Sequence, residues 1–109
     1  MKIVFTDKKL QEACQNFRIM QKKFGKLAPK LRTRLADLDA ASNVLELVAG
    51  RPHALSHDRK GQYAVDLDNM IRLIFEAAND PVPRCLDGSV DWKKVTMIRI
   101  VEIGDYHDK

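Results

Sequence analysis

The sequence predicts an α+β domain in the order β-α-α-β-β-β, a helical hairpin packed on a mainly antiparallel four-stranded sheet. Two patterns predict it. The N-terminal third repeats its apolar residues at steps of three and four, and the later part alternates them in short runs. Gly50-Arg51-Pro52 punctuates the chain between the two regimes.

Ile3-Val4-Phe5 is apolar, β-branched and aromatic, and reads as a short first strand. Thr6-Asp7 offers a side-chain oxygen to the orphan N–H groups of a first helical turn. Leu10, Ala13, Phe17, Met20 and Phe24 then mark one helix face, and Gly25 suits its left-handed end. A second helix places Pro29 in its first turn and buries Leu27, Leu31, Leu35 and Leu38. Residues 44–49 suit one further helical turn. Strands are expected at 62–67, 70–76 and 95–103, with Asp68-Asn69 as a tight turn between the first two. Tyr63, Val65 and Leu67 should share one face, as should Ile71, Leu73 and Phe75. The stretch 77–94, with Pro81, Pro83 and Gly88, is expected to be a long irregular loop.

A chain of 109 residues with 45% apolar and 31% charged side chains is read as a single domain, 1–109, with a core of its own. No apolar run approaches the roughly 20 residues of a membrane span, and the first residues lack the apolar stretch of a signal peptide. Two cysteines without framework spacing, Cys14 and Cys85, point to reduced thiols and a cytoplasmic setting. The net charge of +4 is unevenly spread. Residues 1–34 carry ten basic side chains against Asp7 and Glu12, hence +8, which leaves −4 for the remainder. Lys22, Lys23, Lys26, Lys30 and Arg34 on the hairpin suit contact with a polyanion; a solvated lysine-rich surface is the plainer explanation.

Three clusters carry side chains suited to chemistry: the polar stretch from His53 to Gly61, Arg72 within an apolar strand, and Asp105-Tyr106-His107 near the chain end. Cleavage of RNA by its own 2′-hydroxyl needs a base, an acid for the departing 5′ oxygen, and a cation against the phosphate charge. His53, His107 and Asp105 suit the proton transfers, in either assignment. Arg72 suits the cation, and Tyr106 suits stacking on a base or hydrogen bonding. Structural explanations compete: a solvent-facing arginine, a capping aspartate, a core tyrosine. His53 and His57 have the spacing of a helical zinc pair, but Pro52 and Gly61 argue against a helix there, so no metal or cofactor is expected.

His53-x-Leu55-x-x-Asp58-Arg59-x-Gly61-x-Tyr63, Ile71-Arg72-Leu73-Ile74-Phe75, and Val101-Glu102-Ile103-x-Asp105-Tyr106-His107 resemble the HigB-like branch of the RelE/ParE toxin superfamily. The motifs run from about residue 50 to 107. The resemblance implies a type II toxin that cuts mRNA in the ribosomal decoding site, without metal, and inhibits translation. Its implied partners are the ribosome, mRNA and a HigA-like helix-turn-helix antitoxin, with operator DNA bound through the antitoxin complex. It also implies a catalytic set of His53, Arg72, Asp105, Tyr106 and His107, with Arg59 and Lys60 beside the RNA. Ser56-His57 departs from the family's usual Lys-Gly, and the 77–94 segment is longer than its usual connection. Two alternatives share the fold: a ParE-like poison of DNA gyrase, and a non-catalytic relative that binds only antitoxin and operator.

Overall fold

The computed structural model describes residues 1–104; Asp105, Tyr106 and His107 lie outside the described residues. Five strands form one sheet: β1 (Lys2–Phe5), β2 (His53–Ala54), β3 (Gln62–Asp66), β4 (Arg72–Ala77) and β5 (Met97–Gly104), in the spatial order β1-β5-β4-β3-β2. β1 runs parallel to β5 and every other pair is antiparallel. The expected α+β order holds, with one strand more than the four expected. The extra strand, β2, has only two residues, too short to show any alternation.

The helices split where one was expected. α1 (Lys8–Gln15) and α2 (Phe17–Phe24) replace a single run, and α3 (Ala28–Ala40) follows. Asn16 makes the break, because its side-chain oxygen accepts from Arg18 N at 3.0 Å and Ile19 N at 3.2 Å. Asp7 caps α1 by accepting from Leu10 N at 2.8 Å, and Gly25 ends α2 at φ 56°. Pro29 sits in the first turn of α3.

The helices cover one face of the sheet. Met20, Leu31 and Leu38 pack with Tyr63, Val65, Leu73, Phe75, Ile98 and Ile100 in a continuous core. Tyr63, Val65 and Leu67 are all buried, as their spacing predicts. The β3–β4 link is wider than a two-residue turn: Leu67 N donates to Ile71 O, and Asp68 Oδ1 accepts from the N–H groups of Met70 and Ile71. β5 carries a bulge opposite Ile74 and Phe75, where Ile74 faces Glu102 but Phe75 faces Ile100. Val101 is the additional residue.

The 77–94 segment is irregular, as expected, with only an isolated bridge and a short turn at Trp92–Lys94, but it is tied to the sheet. Arg84 and Val90 bridge to form a small hairpin, and Asn79 staples its return by bonding the backbone of Thr96 and Met97 at 3.1 Å each. Trp92 packs on Tyr63 with ring centroids 4.8 Å apart and edge-on to Phe75 at 6.4 Å. No helix among the described residues is long and apolar enough to cross a membrane.

Two measurements check this arrangement. Replacing Asn16 by alanine removes a shared cap and should cost about 1 kcal/mol in chemical denaturation. Cys14 is half-buried, and that burial, only partly offset by Lys23, pushes its thiol up to about 11, whereas Cys85 is exposed. A thiol reagent at neutral pH should therefore label Cys85 fast and Cys14 only on unfolding.

Candidate active site on the open face of the sheet

Residues paired directly across strands share a face, so the register draws the face that the helices leave open. One row crosses it as His53, Ala64, Ile74 and Glu102. The next row is Asp66, Arg72 and Gly104; on the other side lie Gln62, Glu76 and Arg99. Charge is concentrated on this face, and among the described residues it is largely paired.

Asp66 is its electrostatic centre. Its two carboxylate oxygens accept from Arg72 Nε at 2.8 Å and Arg51 Nε at 2.9 Å. Burial alone would raise the Asp66 carboxyl, but the two guanidinium bonds outweigh it and hold the group below the usual carboxylate range. The two arginines differ in exposure: the Arg72 side chain is 7% accessible, that of Arg51 67%. Arg72, expected as the catalytic cation, is thus a buried guanidinium already committed to a carboxylate. Asp66 and Arg51 were not singled out in the sequence, where nothing but a charge beside a strand marks them.

His53 stands at the edge of the row. Its Nδ1 lies 2.8 Å from Arg51 O, so Nδ1–H donates there and the Nε2 lone pair is left available. His53, Ala54, Leu55, Ser56, His57, Asp58, Arg59 and Gln62 line an open pocket of about 630 Å³. Arg51 and His57 flank it with φ 50° and 56°, a conformation uncommon outside glycine. Arg59, expected to touch RNA, bridges Gln62 at 2.9 Å and Glu102 at 2.5 Å. The bridge joins β3 to β5. Lys60 is exposed beyond it. Glu102 is a further residue that the sequence did not single out; the readable signal was the spacing Ile98, Ile100, Ile103, which betrays the bulge.

The C-terminal triplet follows Gly104, which pairs with Arg72. The structure of that triplet lies outside the described residues. Lys22, Lys26 and Lys30 are exposed on the helical layer, whereas Lys23, also exposed, shares a pocket with Val101 and Glu102. Arg34 is a tether: it bonds Asp37 at 3.1 Å and Asp66 O at 3.3 Å, and a Cβ on Gly50 would lie 2.7 Å from its Nε. No group of three metal-ligating side chains occurs among the described residues.

The Asp66 carboxylate gives a pH-dependent prediction. Its pKa is lower folded than unfolded, so its stabilisation is complete well above about 4 and fades as pH falls through the folded value. Asp66→Ala should cost about 3 kcal/mol at pH 7, because it removes the carboxylate that Arg72 and Arg51 both bond, and the gap from the parent should shrink only in acid below pH ~4. Equal gaps at pH 7 and pH 3 in denaturant melts would contradict this.

No protein-family model matches the sequence, and no curated protein matches it. Solved structures match its shape over nearly the whole chain. A YoeB/ParE toxin from Agrobacterium tumefaciens superposes with TM-score 0.62 and 11% identity, covering 97% of this chain and 99% of that one. In the heterotetrameric YoeB-YefM toxin-antitoxin complex from Staphylococcus aureus, the matched chain has TM-score 0.59 and 17% identity, with 98% and 97% covered. YafQ from E. coli BL21(DE3) has TM-score 0.60 and 16% identity, with 98% and 94% covered. Across such sequence distance the likeness is one of fold, and the fold of this chain is that of the YoeB, YafQ and ParE toxins.

Proposed function

We propose that this chain is the toxin of a type II toxin–antitoxin pair, an endoribonuclease that cuts mRNA on the ribosome and so arrests translation and growth. The observation that carries the reading is the register that sets His53 and the Asp66–Arg72 pair on the sheet face opposite the helices, in a fold like that of solved toxins. The HigB-like motifs in the sequence support the mRNA-cleaving branch. YoeB with YefM, and YafQ with DinJ, occur as complexes, which supports an antitoxin as the resting partner here.

In this reaction His53 Nε2 takes the proton from a ribose 2′-hydroxyl, and the 2′ oxygen attacks the adjacent phosphorus. The bond from phosphorus to the 5′ oxygen breaks, leaving a 2′,3′-cyclic phosphate. His107 or Asp105 returns a proton to the departing 5′ oxygen. The exposed Arg51 guanidinium, held by Asp66 with Arg72 beneath, faces the charge that accumulates on the phosphate. Arg59 and Lys60 border the track, while the hairpin lysines Lys22, Lys26 and Lys30 suit ribosomal RNA on the helical layer, with binding that weakens as salt rises. Operator DNA would be reached through the antitoxin.

Expression without an antitoxin should stop growth and cut mRNA within coding sequence. His53→Ala, and whichever of His107→Gln and Asp105→Asn removes the acid, should each lower cleavage by at least about 100-fold, the contribution of a general acid or base, without loss of fold by circular dichroism. Arg72→Ala is a poorer probe, because it strips a buried partner from Asp66. Variants that stay fully toxic, with mRNA 5′ ends still generated, would sink the site assignment. DNA-damage signalling with intact mRNA would instead identify a gyrase poison.

A further inference from the structure

The 77–94 insertion builds a second pocket against the first. Ala54, Leu55 and Gln62 line both, so the two cavities adjoin around the edge strand β2. The second has a volume of about 560 Å³, and its other walls are Lys60, Gly61, Arg84, Asp87, Gly88, Ser89, Val90 and Trp92. It combines two exposed cations, Lys60 and Arg84, with an aromatic ring held rigidly from behind by Tyr63 and Phe75. Asp87, within the hairpin, also lines it: Ser89 donates to its carboxylate from N at 2.9 Å and from Oγ at 2.6 Å, and the carboxylate keeps its negative charge near Lys60, so Lys60 and Arg84 together outweigh it by one charge. Arg84 donates to Gly88 O at 3.3 Å, which ties the guanidinium to the same tip.

Cations beside a fixed aromatic face are what a single nucleic-acid strand requires: charge for the backbone and a platform for a base. We propose that this pocket is a second nucleotide subsite, in which Arg84 and Lys60 hold an RNA phosphate and Trp92 meets a base neighbouring the cleaved one. The proposal rests on the RNA-cutting reading above and adds to it the role of the insertion. It also gives the 77–94 segment a role beyond the packing of Val82, Val90 and Trp92 on the core.

Trp92 is the single tryptophan of the chain, so its emission reports this pocket alone. The probe is a 2′-O-methyl RNA of about ten nucleotides, too blocked to be cut and long enough to reach both pockets. Binding, followed by anisotropy of a label on the RNA, should quench Trp92. Arg84→Glu and Lys60→Glu, both at exposed positions, should each weaken binding about tenfold, the size of one lost charge-assisted bond, and make its salt dependence shallower by about 0.7. If the RNA binds with Trp92 emission unchanged and both variants bind as tightly as the parent, the subsite is refuted while the nuclease reading stands. If the parent binds no RNA, the subsite is refuted as well, and mapping of mRNA ends in expressing cells separately decides whether the chain cuts mRNA. Quenching without any such cleavage would keep the subsite and overturn the nuclease.

Discussion

One additional residue in β5 decides which side chains meet the helices. Ile98 and Ile100 are buried in the core, and unbroken alternation would send Glu102 in after them. The bulge at Val101 shifts the phase, so Ile103 packs on the core and Glu102 turns to the open face. Packing and polarity favour the same phase, since an unpaired carboxylate in that core would cost several kcal/mol at least. The row containing His53, the Arg59–Glu102 bridge and the approach of Gly104 to Arg72 all depend on that shift. β5 lies between β1 and β4, which leaves its register little freedom.

The open face is not an ordinary solvated face. Ala64 and Ile74 are fully buried there without joining the helical core. Arginine suits such a face, because its stem can lie on apolar surface while its planar head reaches a carboxylate. Arg59 joins Gln62 to Glu102 there, and Arg72 holds Asp66. Fixed charges of this kind need little reorganisation when charge develops on a substrate.

The contrast between what the sequence told and what it hid follows physical range. Asp7, Gly25 and Pro29 act within one helical turn, and each acted as its local chemistry predicts. Tyr63, Val65 and Leu67 sit on a regular strand face, so period two was enough to place them. Asn16 was overlooked because the apolar period runs through it undisturbed, although a mid-helix asparagine is itself a capping signal. The short β2, the tether from Arg34 to Asp66 and the shared grip of Arg51 and Arg72 on one carboxylate are long-range pairings. No local pattern encodes them. The insertion was legible as unusual in length, but its order comes from Trp92 meeting Tyr63 and from Asn79 meeting Thr96, contacts set by the folded sheet.

Asp66 also bears on which cation meets a substrate under the proposed mechanism. A phosphate arriving beside His53 cannot easily reach Arg72, which is buried and bound to a carboxylate. Arg51 is exposed, shares that carboxylate, and through its carbonyl fixes the His53 ring. The same residue therefore links the orientation of the base to the charge facing the substrate. Arg72, from beneath, keeps Asp66 ionised and in place, so that Arg51 is held without being fully neutralised. A buried pair supporting an exposed cation reconciles the strand arginine of the resembling family with the burial seen here. The chemistry need not require Arg72 to touch RNA; it requires the Asp66 cluster to remain intact.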